Sequence, residues 1–296
     1  MSDQTLLKLT NDYIFKRTFG YEGAERVTSI FLRDIFKTKV TDVKLDNSTI
    51  TEKEIITDKV GIMDIKAVVN KNIQCDIEMQ VVAQSDIEQR IMFYWSKMYT
   101  KTISKGEGYG ILNKSIVVLI ADFELDTLKP IKKYMTKWNI REEEYSKIIL
   151  TDVLEIYIIE LPKFSKYVQK QESKCINLWV KFIKNPEVIM MVNENDCKDV
   201  KETKQAINDA KEKLKQLSES EHERELAELR DKYIRDQYSV RKYGYLKGKE
   251  EGRIKGFEEG KSKEKYEIAK KMLAQQISID VIIECTGLTK KEIEQI

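Results

Sequence analysis

The sequence predicts an α/β fold, a mixed sheet flanked by helices, followed by an α-helical and partly coiled-coil C-terminal tail. Three observations lead there. Up to about Asn185, β-branched runs alternate with segments of helical periodicity. After Pro186, and plainly from Lys198, the chain becomes highly charged and β-type patterning all but stops. From Gly244 to Gly260 a glycine recurs at every fourth residue, in GYLKGKEEGRIKGFEEG. The expected division is therefore a domain over 1–185, a charged helical connector over 186–240, and a glycine-repeat helix with a small helical module over 241–296.

The elements follow in order. Thr10 or Asn11 is placed to cap a first helix, NDYIFKRTF. A second runs from about Ala24 to Phe36, with Val27, Ile30, Phe31 and Ile35 on one face. Strands are expected at Val60–Val69, Ile73–Val81, Ser115–Phe123, Lys147–Leu150 and Leu154–Ile159, with a strong helix from Asp86 to about Ile103 after the second. In the connector, Val200, Thr203, Ile207, Ala210, Leu214 and Leu217 fall at spacings of three and four, a heptad seam. That seam suits either a coiled coil between chains or a helix packed on its own domain. The glycine repeat suits either a pliable charged linker or a helix crossing that joins two chains, because glycines four apart drift only 40° per step around a helix. The last segment, ISIDVIIECTGLTKKEI, is similar to a helix-turn-helix with Gly287 at the turn. Its second helix is short and rich in Glu as well as Lys, whereas base readout favours Arg, Asn or Gln, so a packing module is the preferred reading.

Composition narrows the chemistry. Lys and Arg number 52 against 50 for Asp and Glu, so a nucleic-acid partner would have to meet a local basic patch. His222 is the one histidine, set between Glu221 and Glu223, which argues against Ser–His–Asp or Cys–His catalysis and against a histidine-rich zinc site. Cys75, Cys175, Cys197 and Cys285 lack metal-ligand spacing and are expected as reduced thiols in the cytoplasm. The longest apolar run, Ile116 to Ala121, is too short for a membrane span. The pattern KGEGYG follows a helix and precedes a strand, the reverse of a phosphate-binding loop.

What remains is carboxylate chemistry, and it is densest in KVGIMDIKAVVNKNIQCDIEMQVV. Strand parity puts Asp64 with Lys66 on one strand, and Asp76, Glu78 and Gln80 together on the next. A three-residue loop, Asn70-Lys71-Asn72, would pair Val69 with Ile73 and set Asp64 opposite Glu78. Opposed carboxylates repel, and a divalent cation reverses the sign of that interaction. A solvated polar sheet face is the competing reading of the same parity.

The stretch GIMDIKA…DIEMQ resembles the PD-(D/E)XK nuclease hairpin. Its setting is similar to the Rpn family of recombination-promoting nucleases, also described as PD-(D/E)XK nuclease family transposases. NDYIFKRTFG, QRIMFYWSKMYTKTISKGEGY, LEIYIIELPKF and GKEEGRIKGFEEGK…EIAKKML…TGLTKKEI carry that resemblance, in order along nearly the whole chain. It implies a metal-dependent DNA endonuclease, with Asp64 and Glu78 as ligands of Mg²⁺ or another divalent cation. Gln80 falls where the superfamily has its catalytic lysine and the Rpn family typically has glutamine. Asp12 resembles an acidic outer position on the first helix, and Arg90 a family arginine suited to phosphate. Lys66 shares the parity of Asp64 and is a candidate for the missing positive charge. DNA is the implied partner, and the C-terminal helices the expected route to a homo-oligomer. The alternative is a catalytically weak nuclease-fold protein that binds DNA or assembles through its tail.

Overall fold

The computed structural model describes residues 5–45, 64–167 and 174–296. They form two compact units, Met1–Ile234 and Arg235–Ile296.

The first unit opens with α1 (Asp12–Phe19), capped by the Asn11 side chain, which accepts from the Ile14 amide. Its Tyr13, Ile14, Phe15 and Phe19 are buried. α2 (Glu25–Phe36) ends at Lys37, which turns the chain in the left-handed region with φ 55°. The strands are β1 (Val43–Leu45), β2 (Ile65–Val69), β3 (Ile73–Gln80), β4 (Ser115–Ala121), β5 (Met135–Arg141) and β6 (Ile149–Glu160). They make one six-stranded sheet in the order β1-β2-β3-β4-β6-β5. β3–β4 and β4–β6 are parallel and the other pairs antiparallel. Parallel neighbours need a crossover, and α3 (Ile87–Thr100) supplies the one between β3 and β4.

Alternation divides the apolar residues between two faces. Cys75, Ile77 and Met79 of β3, with Ile116, Val118 and Ile120 of β4, join the main core. Val117, Leu119 and Ala121 turn to the other side and pack with Ile87 and Ile91 of α3. β4 is buried along its whole length, as expected for a continuous apolar run in a covered sheet.

After β6 come α4 (Leu161–Lys166), α5 (Lys174–Lys184) and α6 (Lys198–Glu219). The heptad seam of α6 is buried within its own unit, against α1, α2 and α5, so of its two readings packing is the one realised. The compact unit thus runs well past the boundary expected near residue 185. Two further differences concern strands. The separate strands expected around 147–150 and 154–159 are one strand, β6, carried across Thr151–Val153 by antiparallel pairing with an irregular β5. β1 and β5 themselves carry too little apolar alternation to be seen in the sequence. The part of the first expected strand before Asp64 lies outside the described residues.

A long helix, α7 (Glu221–Ala274), begins in the first unit, where Leu226 and Ala227 are buried in the main core. In the second unit its last turns pack with α8 (Ile279–Thr286) and α9 (Lys290–Ile293) around Ala269, Ile282, Leu288 and Ile293. Gly287 ends α8 with φ 69°, a conformation that suits glycine, and Thr289 and Glu292 form a capping box for α9. Apart from the local backbone of the helix itself, no described atom lies within 4 Å of a Cβ built on any glycine from Gly244 to Gly260.

One buried carboxylate ties the helical layer together. Asp34 of α2 accepts from Trp179 Nε1 of α5 at 2.9 Å and from Thr203 Oγ1 of α6 at 2.6 Å. Its other oxygen accepts from Arg33 at 2.8 and 3.0 Å. Asp34→Ala strands these donors and should cost about 3 kcal/mol in urea unfolding, with an unchanged m-value. A change of a few tenths of a kcal/mol would show that α6 is not part of the cooperative core.

Candidate active site

The site starts from a tight hairpin. Asn70 and Lys71 adopt positive φ, 49° and 72°, and the Asn70 carbonyl oxygen of the side chain accepts from the Thr41 amide at 2.8 Å. With Asn70-Lys71-Asn72 as the loop, pairing runs from Val69–Ile73 to Ile65–Ile77. Asp64 and Glu78 therefore occupy the next opposed position, as strand parity and loop length required. Lys66 stands opposite Asp76. The end of α1 closes against β2 beside Asp64, and Gly20 permits it: a Cβ there would meet Ile65 Cγ1 at 3.1 Å and the Lys16 carbonyl at 3.0 Å.

This polar face is not solvated. Asp64, Asp76 and Glu78 are 5%, 4% and 2% exposed. Glu78 Oε1 accepts from Arg90 Nη2 of α3 at 2.5 Å and also from the Gln80 amide. The Arg90 guanidinium lies over the Tyr94 ring, 5.4 Å from its centroid. By contrast, Asp64 Oδ2 and Asp76 Oδ1 are buried and have no hydrogen-bond partner among the described residues.

Burial of carboxylates with too few donors favours their neutral form. Burial, and then the charges of Asp76 and Glu78, hold Asp64 well above the usual carboxylate range, with Arg90 and Lys66 pulling the other way. Asp76 is pushed up to about 7, first by burial and then by Glu78, against Lys66, Arg90 and Lys16. Glu78 is raised by burial despite its bonds from Arg90 and Gln80. The cluster is thus short of positive charge and offers hard oxygen donors. It fits a divalent cation, whose charge would reverse the local preference for protons. Among the described residues no three His, Cys, Asp or Glu side chains converge as a ready-made cage. Two carboxylates completed by water and phosphate oxygens is a common arrangement for Mg²⁺.

Of the residues singled out in the sequence, Asp64, Glu78, Gln80 and Arg90 come together, and Lys66 stands exposed at the rim. Asp12 is engaged elsewhere. Both its oxygens accept from the buried Arg230 of α7, at 2.6–3.1 Å, although its charge still raises Glu78. Asp76, which parity placed beside Glu78, was given no role in the sequence reading, and two contributors escaped it altogether. Lys16 lies one turn after Asp12 on α1, is buried, and its charge reaches Asp76. Arg230 is 218 residues from Asp12 and carries no local signal.

Two family models match the chain. One, described as PD-(D/E)XK nuclease family transposase, covers residues 9–244. The other, described as the C-terminal HTH domain of the Rpn/YhgA-like nuclease family, covers residues 262–296. No curated protein and no solved structure matches. The second match corrects the preference for a mere packing module: α8, the Gly287 turn and α9 belong to a helix-turn-helix domain. Among the described residues no helix is long and apolar enough to cross a membrane.

The raised carboxylates set a pH dependence. A group with a folded pKa above its unfolded value stabilises the fold fully below the unfolded pKa, and that contribution is lost as pH rises through the folded one. For Asp76 the window runs from about 4 to about 7. In EDTA the melting temperature should fall between pH 5 and 8, and Asp76→Asn should flatten the fall. Mg²⁺ or Mn²⁺ should raise the melting temperature most at pH 8. A metal-free protein that grows more stable over that range would contradict the electrostatic assignment.

Proposed function

The chain belongs to the PD-(D/E)XK nuclease family transposases, and from that premise we propose that it is a divalent-metal-dependent DNA endonuclease that hydrolyses phosphodiester bonds. The observation that carries this reading is the buried, donor-poor carboxylate cluster on one face of the β2–β3 hairpin. PD-(D/E)XK nucleases generally use divalent metal ions, and Asp64 and Glu78 are the side chains that would hold one here. Mg²⁺, when bound, supplies Lewis-acid polarisation of a phosphoryl oxygen and an acidified water.

The remaining roles belong to the chain itself. Gln80 cannot exchange protons at neutral pH, so its amide orients: it donates to Glu78 and fixes the carboxylate that faces Asp64. Arg90 holds the same oxygen and, with its side chain 21% exposed, keeps part of its guanidinium for a phosphate. Lys66, exposed at the rim, adds a second cation on the phosphate path. The match to a helix-turn-helix domain supports a DNA-binding role for the tail, and the family description supports a place for the activity in recombination or in mobile-element or defence biology.

The glutamine at position 80 favours one second reading, a catalytically weak DNA-binding protein on the same fold. Supercoiled plasmid separates the two. Nicking should require Mg²⁺ or Mn²⁺, stop with EDTA, and fall on the order of 10²–10³-fold in Asp64→Ala and Glu78→Ala. Gln80→Lys should keep or raise the rate. Full DNA binding with no metal-dependent nicking would establish the second reading.

The glycine face of α7 is the route by which two chains would meet. Each interior glycine costs about 1 kcal/mol relative to alanine, and close approach of a second helix would offset that cost. Gly252→Leu combined with Gly256→Leu should lower the oligomeric state in sedimentation and leave the first unit folded. A wild-type protein that is monomeric at high micromolar concentration would remove the interface.

A further inference from the structure

Between Glu88 and Glu107 the chain carries Arg90, Lys97, Lys101 and Lys105 and no acid. In a protein with nearly balanced charge, this is a local basic stretch of the kind a polyanion would need; Lys129 to Arg141 is another. It coincides with α3, whose buried stripe is Ile87, Ile91, Trp95 and Met98, turned toward β4. At 100° per residue, Arg90, Phe93, Tyr94, Lys97 and Lys101 share a second stripe about 100° wide, adjacent to the buried one. Packing does not account for that stripe: Phe93 is 58% exposed. The stripe is nevertheless wired to the carboxylate cluster. Glu78 accepts from Arg90, Arg90 lies over the Tyr94 ring, and Phe93 meets Tyr94 edge-on with centroids 5.5 Å apart.

We propose that this stripe is a platform for unpaired DNA bases next to the phosphate being cleaved, with Phe93 as the stacking surface, Tyr94 as its support, and Lys97 and Lys101 on the strand's phosphates. The inference rests on the nuclease reading and narrows its substrate to DNA that exposes base faces near the cut, such as single strands, frayed ends or junctions. Interleaved aromatics and cations are the chemistry that binds single strands, since every base has a π-face and every linkage an anion. A duplex hides its base faces and would engage the lysines alone. From Arg90 to Lys101 the helix extends about 16 Å, enough for a short run of nucleotides.

The test uses full-length protein in Ca²⁺ or EDTA, with a labelled single-stranded oligonucleotide, its duplex, and a single strand containing 2-aminopurine. Phe93→Ala should weaken single-strand binding about tenfold or more, change duplex binding less than twofold, and abolish the 2-aminopurine quenching seen with wild type. Phe93→Trp should restore both. Equal loss on single strand and duplex, or 2-aminopurine fluorescence that wild type leaves unquenched, overturns the platform. So does a Phe93→Ala protein with altered oligomeric state and unaltered DNA binding, which would make the stripe a contact between chains. Plasmid nicking keeps the two readings apart. Metal-dependent nicking without quenching removes the platform alone, and quenching without any nicking removes the nuclease reading and leaves a base-binding surface with no cleavage beside it.

Discussion

Asp64, Asp76 and Glu78 crowd one face of a single hairpin, and the surrounding structure has taken them out of water. A sheet that only needed to fold would place apolar residues there, as β4 does directly alongside with Val117 and Leu119. Isolated buried carboxylates are costly and respond by holding protons. Among the described residues the compensation is incomplete: Arg90 and Gln80 serve Glu78, while Asp64 Oδ2 and Asp76 Oδ1 are left without donors. Such a cluster makes physical sense as one half of an interaction whose other half is a cation.

The remaining elements keep that face in place. The tight loop at Asn70-Lys71-Asn72 fixes the register that opposes Asp64 and Glu78. α3 reaches back over the sheet with Arg90, so the crossover that makes β3 and β4 parallel also delivers the site's hydrogen-bonded cation. α1 brings Lys16 and Asp12 to the hairpin, and the first turns of α7 grip α1 in return. Arg230 neutralises Asp12, Glu223 accepts from Tyr13 at 2.7 Å and from Arg17 at 2.6 Å, and Asn11 donates to Asp231 at 2.7 Å. The start of the long helix is thus bound into the nuclease domain within its first three turns.

The hairpin was legible in the sequence because strands alternate with a period of two and the loop length fixes which residues face each other. β4 was legible for a different reason, an unbroken β-branched run. Less visible was anything that depends on distant partners. Parity alone left the polar face open to a solvated reading, since the elements that pack on β3, namely α1, α3 and β4, are distant in sequence. The α6 seam had the spacing of a coiled coil, and only the apolar faces of α1, α2 and α5 decide that it packs at home. β1 and β5 are edge strands with exposed, polar positions, where propensity says little. At the C-terminus, the short Glu-rich second helix argued against a helix-turn-helix, yet the capping box, the glycine turn and the small core around Ile282 are what such a module requires.

Calorimetric titration of Mn²⁺ into the full-length protein at pH 7, in two buffers of different ionisation enthalpy, tests the central claim most directly. The carboxylate cluster should bind the ion with release of protons, because the metal displaces them from groups that burial has kept protonated. Asp64→Ala and Glu78→Gln should each abolish that heat while the far-ultraviolet circular dichroism stays unchanged. Binding of equal strength in both variants, or binding with no proton released, would contradict the assignment of these carboxylates as the cation site.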